Sequence, residues 1–254
     1  MSKNDLKKYL EIAKKAALSA GNFLLHYKKK HLTIQSEIGK DLKISADKEA
    51  EEVIIKILQK KSKFPILSEE KGLVKTDGNF KLKWIVDPLD GSLNFLRGIP
   101  YSCVSISLFD DKKPLLGVIY DFNRGELFTG ITGKFARLNK RKVSVSKTNN
   151  AKNAVLTTGF PVATNFSSQA LKQYIKHIRM FKKVRLLGSA ALSLVYVACG
   201  RADAYFEKDI KWWDVAAGLA IVSGAGGVYT IKESKKKNVC VVYASNKYLK
   251  NILK

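Results

Sequence analysis

Asp87 and Asp90 are the two residues of this sequence whose spacing most directly suggests chemistry. They follow the apolar run over residues 84–86, Pro88 restricts the backbone between them, and Gly91 permits a tight turn behind them. Two carboxylates that converge at the end of a strand repel each other, and a bound cation removes that repulsion. Hard oxygen ligands of this type suit Mg²⁺. The same residue types are also typical of a surface turn, and this segment alone does not decide between a turn and a metal site.

Three further acids favour the metal site. Glu69 and Glu70 follow the apolar run of a predicted strand, and Asp214 lies at the start of a predicted helix. An exposed turn would also explain the glutamate pair, and helix capping would also explain Asp214. However, acids at the ends of successive apolar strands are unusual in a chain whose net charge is +24. The combination therefore favours a metal site over a turn.

The elements that must position these acids form a layered pattern. Helical periodicity or capping predicts helices over 4–29, 46–61 (with Ser45 as its N-cap), 168–181, 189–199 and 214–224. Short apolar runs bounded by turn residues predict strands over 64–68, 82–87, 101–109, 114–121, 125–130, 183–187, 203–207 and 238–243. Two helices, a run of strands, and then alternating strands and helices predict an α/β or α+β architecture with two sheets. The lysine-rich segment 232–238 is expected to be an exposed turn.

The composition is that of a globular protein, with 46% hydrophobic and 27% charged residues. Lysine supplies 39 of the 46 basic residues, with short runs at 28–30 and 235–237. Surfaces dedicated to nucleic acid favour arginine for bidentate contacts. The lysine bias therefore favours a solvated basic surface, and contact with a polyanion such as RNA stays open as the alternative.

The cysteines and the apolar stretches indicate a cytoplasmic protein. The three cysteines show no CxxC spacing, which is typical of reduced thiols. The first residues lack the continuous apolar segment of a signal peptide. The longest apolar stretches, 186–199 and 215–229, are too short to cross a bilayer and are interrupted by glycine and serine. We therefore expect no membrane contact.

Two long motifs resemble those of the inositol monophosphatase family. The first runs from Asp87 through Asp90-Gly91-Ser92 to Phe95, and the second covers residues 213–218. The Glu69-Glu70 pair and the segments 188–191 and 203–207 fit the same pattern, so the resemblance extends from about residue 6 to 246. It implies an α/β (α+β) fold of the sugar-phosphatase type, a layered αβαβα sandwich, and commonly a homodimer. The whole chain, 1–254, would be one domain, with an N-terminal lobe over about 1–160 and a C-terminal lobe over about 161–254.

The resemblance also implies a set of metal ligands. Glu69, Asp87 and the carbonyl of Leu89 would hold one Mg²⁺, and Asp87, Asp90 and Asp214 a second. Two or three ions per active site are expected, and Mn²⁺ is the alternative metal. Such ions polarise a phosphoryl group and lower the pKa of an attacking water.

Catalytic and substrate-binding residues follow from the same resemblance. Glu69 would contact the attacking water through its metal, Ser92 would help to orient and deprotonate that water, and Asp47 would hydrogen-bond Ser92. The small phosphorylated substrate would contact a set made of Gly91, Ser92, Gly188, Ser189, Ala190, Glu207 and Asp214. A position near a helix N-terminus would also explain Asp47 without catalysis.

The substrate stays open within the family. Ser68 and Leu89 resemble the bisphosphate-nucleotidase branch, whereas residues 93–95 and 188–192 resemble the inositol-phosphatase side. We expect inositol monophosphate or a similar sugar phosphate. The alternatives are adenosine 3′,5′-bisphosphate, fructose 1,6-bisphosphate and histidinol phosphate. An RNA- or ribosome-associated binding protein is the alternative outside enzymes, but the complete acid set predicts activity.

Overall fold

Six helices and fifteen strands form the described part of the chain. The computed structural model describes residues 3–27, 33–38, 41–76, 81–111, 113–161 and 164–252, so the lysine run at 28–30 lies outside the described residues. The helices are α1 Lys3–His26, α2 Ser45–Lys61, α3 Ser92–Arg97, α4 Ser168–Ile178, α5 Ala190–Ala198 and α6 Trp212–Gly224, with a 3₁₀ turn at Ala151–Asn153. The strands are β1 Ile34–Ile38, β2 Asp41–Ile44, β3 Ile66–Ser68, β4 Gly72–Val74, β5 Leu82–Asp90, β6 Cys103–Asp110, β7 Lys113–Asp121, β8 Glu126–Ile131, β9 Phe135–Leu138, β10 Arg141–Lys142, β11 Val155–Thr158, β12 Lys183–Leu186, β13 Ala204–Lys211, β14 Val228–Glu233 and β15 Val239–Ser245.

The strands form two large mixed sheets and one hairpin. The first sheet has eight strands in the order β10-β9-β8-β7-β6-β5-β3-β4, and only β3 and β5 run parallel in it. The second has five strands in the order β12-β11-β13-β15-β14, with β11 parallel to both of its neighbours. β1 and β2 form the separate hairpin.

Helices cover both sheets and separate them. α1 and α2 lie on one face of the eight-stranded sheet, where Leu10 and Ile54 share a core with Ile106. α5 and α6 lie between the two sheets, in a second core that includes Ile119 and Val242. α4 packs on the outer face of the five-stranded sheet, against a third, smaller core. The layer order is αβαβα, which confirms the fold predicted from the motifs.

Two glycines allow α6 to pack closely on both of its neighbours. A Cβ at Gly117 of β7 would collide with the backbone of Ala217, and a Cβ at Gly218 would lie 2.5 Å from the Leu194 side chain of α5. The close approach fixes the position of α6 against the eight-stranded sheet. It therefore also fixes Asp214, which lies in the first turn of that helix.

The predicted elements are correct in type, but several boundaries differ. β5 continues to Asp90 and β13 to Lys211, whereas the predicted strands ended at 87 and 207. Ser45 is the first residue of α2, Ile44 is its N-cap, and the Ser45 hydroxyl accepts the Thr33 N–H. The predicted helix over 4–29 ends at His26, and residues 28–29 lie outside the described part. The segment 232–238 divides between the end of β14 and the turn before β15.

Several short strands were not predicted, namely β1, β2, β4, β9, β10, β11 and β14. They have two to six residues, lie mostly at sheet edges, and carry polar residues that hide the alternating pattern. Among the helices of the described segments, none combines the length and the apolar character needed to cross a membrane.

Candidate active site

Three carboxylates from three different elements meet at one end of the eight-stranded sheet. Glu69 lies in the short turn between β3 and β4, Asp87 lies in β5, and Asp214 lies in the first turn of α6. β3 and β5 are parallel neighbours with Ser68 opposite Val86, which places Glu69 beside Asp87. One oxygen from each of the three carboxylates lies within 4.8 Å of the others.

Burial and mutual repulsion make this cluster unfavourable for free carboxylates. The pKa of Asp87 is raised well above its usual range, mainly by burial and then by the charges of Glu69, Asp90 and Asp214. Burial and the charge of Asp90 likewise raise the pKa of Asp214, although part of that residue stays open to a cleft. A divalent cation bound by hard oxygen ligands would offset both effects. The residues present therefore fit a Mg²⁺-type ion.

A bulge in β5 brings Asp90 into contact with α5. Asp87 lies opposite Ser105 of β6 and Asp90 opposite Cys103, so β5 holds one extra residue between them. Pro88 lies in this bulge and has no N–H to leave unpaired. Asp90 thereby reaches α5, where its Oδ2 accepts hydrogen bonds from the Ser189 hydroxyl at 2.5 Å and from the Ala191 N–H at 2.7 Å.

Asp90 still influences the rest of the site through its charge. Burial raises its own pKa to about 6, although its bonds to α5 act in the opposite direction. Asp90 is not part of the three-carboxylate cluster, and among the described residues it belongs to no second group of three possible metal ligands that lie within 4.8 Å of one another. Its predicted place in a second metal site stays a prediction.

Ser92 and Asp47 are in contact, as the resemblance implied. The Ser92 Oγ lies 3.0 Å from Asp47 Oδ1 and 2.8 Å from the Leu89 carbonyl, so its single proton has two acceptors. The other Asp47 oxygen accepts the Ile44 N–H at 2.8 Å. Asp47 therefore caps α2 and contacts Ser92 at once, and the two explanations offered for it from the sequence are compatible.

Two glycine turns meet across the site and are joined by Asn94. Gly91 and Gly188 adopt φ values of 90° and 77°, which favour glycine. The Asn94 side-chain amide donates to the Tyr101 and Leu187 carbonyls at 2.9 Å each. Sequence reasoning placed Asn94 in a motif but gave it no role, because a bond across 93 residues leaves no local signal.

A cleft of about 320 Å³ opens beside the carboxylates. All of the predicted substrate-binding residues line it: Asp214, Gly91, Ser92, Gly188, Ser189, Ala190 and Glu207. The predicted residues Glu69, Asp87, Leu89 and Asp47 are not among its lining residues. Sequence reasoning missed a further part of the wall, made of Leu93, Gly159, Phe160, Pro161 and Ile210. The Gly159-Phe160-Pro161 turn directly follows the unrecognised strand β11, and recognition of that strand would have revealed it.

Glu207 is a buried titratable residue in the wall of this cleft. Its side chain is only 6% exposed, and burial, with the charge of Asp90 in addition, raises its pKa to about 8. A protonated carboxyl group can donate a hydrogen bond to a hydroxyl group, which an ionised one cannot. The cleft therefore combines one member of the carboxylate cluster, Asp214, with a buried carboxyl group that can donate a hydrogen bond.

A layered αβαβα fold with clustered carboxylates at a strand end defines a class of metal-dependent phosphatases. Comparison with known families agrees with that class, because residues 5–251 match the model of the inositol monophosphatase family. The chain belongs to this family.

Similar proteins carry two kinds of name. A Nus factor SuhB of Xylella fastidiosa is 44% identical over 87% of this chain and 81% of its own length. An inositol-1-monophosphatase of Synechocystis is 41% identical over 89% of this chain and 80% of its own length. Among solved structures, the inositol monophosphatase from Anabaena has a TM-score of 0.84 at 35% identity and covers 98% of this chain and 95% of its own. The suppressor protein suhB from Bartonella henselae has a TM-score of 0.86 at 34% identity, with 96% of both chains covered.

Proposed function

We propose that this protein hydrolyses a small phosphate monoester with the help of Mg²⁺, and that the substrate is inositol monophosphate or a similar sugar phosphate. One observation carries the proposal: Asp214 belongs both to the carboxylate cluster and to the wall of the cleft. A phosphate group in the cleft would therefore lie next to any cation that the cluster holds.

The acids and one backbone carbonyl would hold the metal. Glu69, Asp87 and Asp214 form the cluster, and Asp90 and the Leu89 carbonyl would complete the ligand sets of two or three ions, with Mn²⁺ as a substitute. Bound ions of this type neutralise phosphoryl oxygens and lower the pKa of a coordinated water. The protein residues supply the remaining steps.

Ser92 would accept the proton of the attacking water. Its hydroxyl already contacts the Asp47 carboxylate, which can accept a proton relayed through the serine. Glu69 would orient the same water from the other side. The backbone N–H groups of Gly91 and Ser92 would donate to phosphate oxygens, and Glu207 to a hydroxyl of the alcohol part.

The charges around the cleft favour a substrate with a single phosphate. No lysine or arginine is among the described residues that line it. Three cations flank it in sequence, but their side chains have other contacts. Lys208 lies over the Phe206 ring at 5.9 Å, Lys211 lies over the Trp213 ring at 5.6 Å, and Arg185 donates to the neighbouring Val184 carbonyl. A second phosphate group inside the cleft itself would therefore lack a cationic partner, and the adjoining pocket, which shares Phe160 and Glu207 with the cleft, offers only Lys208 among its described residues.

Phosphate release with and without Mg²⁺ tests the proposal. The panel contains inositol 1-phosphate, fructose 1,6-bisphosphate, adenosine 3′,5′-bisphosphate and histidinol phosphate. We expect metal-dependent turnover with inositol 1-phosphate as the best of the four. Faster turnover of either bisphosphate would contradict the substrate proposal, and no release from folded protein at saturating metal would contradict the reaction.

A second function, binding to RNA or to a ribosome-associated partner, is favoured by one specific observation. The relative that is 44% identical is named a Nus factor, and this chain carries a net charge of +24. The test is RNA binding from low to physiological salt. Binding that persists at physiological ionic strength would support the second function, whereas loss at modest salt would indicate general charge attraction.

A further inference from the structure

Glu51 is a fully buried carboxylate that no motif explains. It lies on α2 one helical turn after Asp47, on the same buried face, and it has no exposed surface. Its Oε1 accepts the backbone N–H of Lys71 at 3.1 Å, and its Oε2 has no hydrogen-bond partner among the described residues. Burying a carboxylate costs several kcal/mol unless it is fully paired. An apolar side chain at this position would cost less on folding. The role of Glu51 therefore depends on the hydrogen bond that its Oε1 accepts.

The Lys71 N–H that donates to Glu51 belongs to the same turn as Glu69. This turn, residues 69–71, joins β3 to β4, and each of these strands has only three residues. The Glu69 N–H donates to the Val86 carbonyl at 3.3 Å, which fixes the start of the turn to β5. The Lys71 N–H donates to Glu51, which fixes its end to α2. Strands this short supply few ladder bonds, so these two bonds contribute to fixing the position of the turn.

We propose that Glu51 is a positioning residue for the metal site, and that its bond to the Lys71 N–H sets the affinity of the Glu69 carboxylate for a divalent cation. This inference rests on the proposed function, because it assumes that Glu69 binds the metal. Without the bond, the turn would sample other positions, and each binding event would first have to restore the right one. Groups that orient a metal ligand in this way typically change metal affinity by about 10–100-fold when removed.

Two neutral substitutions separate the hydrogen bond from the charge. Glu51→Gln keeps an oxygen that can accept the Lys71 N–H, whereas Glu51→Met keeps the approximate volume and removes the acceptor. Glu52→Met is the matched control, because Glu52 is the exposed neighbour on the same helix and pairs with the Lys71 side chain at 3.5 Å. Binding of Mn²⁺ alone, followed by electron paramagnetic resonance, measures affinity without substrate or turnover.

We expect E51M to weaken Mn²⁺ binding by at least about 10-fold, and E51Q and E52M to stay within about 3-fold of the wild type. Wild-type affinity in E51M would overturn the inference, and equal weakening in E51Q and E51M would show that the hydrogen bond is not the cause. If the wild-type protein binds no Mn²⁺, the proposed function itself fails.

Hydrogen exchange in the wild-type protein gives a second test that depends on no variant. Coupling between two equilibria is reciprocal, so a bond that favours metal binding must itself be favoured by bound metal. The Lys71 amide should therefore exchange more slowly when saturating Mg²⁺ is added. Unchanged exchange at Lys71, measured while metal binding is confirmed in the same sample, would also overturn the inference.

Discussion

Replacement of Asp214 by asparagine separates the folding role of this residue from its role in the reaction. The amide keeps the size of the carboxyl group and can still accept the Lys211 N–H, which is 3.2 Å from the Asp214 Oδ2. It removes one negative charge from a cluster in which burial and neighbouring acids already raise the pKa values. We therefore expect D214N to fold normally and, in the absence of metal, to be at least as stable as the wild type.

The same change should remove the stabilisation that metal provides. A ligand at 100 times its Kd stabilises the folded state by about 2.7 kcal/mol. With the usual entropy of unfolding per residue, this corresponds to about 5 °C in Tm for a chain of 254 residues. For D214N, the rise in Tm at the same Mg²⁺ concentration should be less than about 1 °C, because binding at 100-fold lower affinity stabilises the folded state by only about 0.4 kcal/mol. Turnover should fall by at least about 100-fold.

Thermal unfolding with EDTA and with Mg²⁺, together with phosphate release, checks both parts. The wild type under the same conditions is the control for the metal shift. A D214N protein that is less stable than the wild type in EDTA would refute the argument from charge repulsion. Near-normal turnover in a folded D214N protein would refute the assignment of Asp214 to the metal site.

Three further substitutions test the proton-transfer role of Ser92, the buried Glu207 in the cleft, and the hydrogen bonds by which Asn94 connects the two glycine turns. Ser92→Ala should lower kcat by about 100-fold because it removes the hydroxyl that contacts Asp47, whereas Ser92→Thr should keep kcat within about 10-fold of the wild type. Equal kcat values for the two variants in steady-state assays would contradict the role of the hydroxyl in proton transfer. The pKa of Glu207 is about 8 in the folded protein, and its ordinary value is 4.5. Between these pH values the folded state binds one proton more than the unfolded state, so the unfolding free energy falls by about 1.4 kcal/mol for each unit by which the pH rises. Glu207→Gln should remove that slope, measured as the difference between variant and wild type in urea unfolding with EDTA. Asn94→Ala should raise KM by about 10-fold by releasing the Leu187 carbonyl, with a smaller effect on kcat, and an unchanged KM would contradict this role.

The carboxylate cluster could be predicted from the sequence because its acids end or begin local elements. Glu69 and Asp87 follow apolar runs that form neighbouring parallel strands, so their side chains meet at one edge of the sheet. Asp214 starts a helix whose small residues identify a closely packed element. Such signals depend on spacing within about ten residues, which a single sequence preserves.

The partners of these acids could not be predicted, because they depend on contacts between distant segments. The bulge that directs Asp90 to Ser189 becomes visible only when β5 is aligned with β6. The wall formed by residues 159–161 depends on β11, whose four residues carry two threonines and no clear alternation. Glu51 is a polar residue on a helix that has several, and only its burial distinguishes it.

The distribution of charge implies an order in which the site can be filled. The chain carries 46 basic residues, whose field attracts phosphorylated molecules to its surface, whereas the four acids lie buried or half-buried at one end of the eight-stranded sheet. A phosphate monoester that reached the cleft of the metal-free protein would meet Asp90 and Asp214, whose raised pKa values mean that further negative charge is unfavourable at this site. Two divalent cations would balance the four negative charges that Glu69, Asp87, Asp90 and Asp214 carry when ionised, and they would leave the attractive surface unchanged. In the proposed site, metal binding would therefore favour the later binding of the phosphate, and Glu51, through its hydrogen bond to the turn that contains Glu69, would act on the first of these two steps.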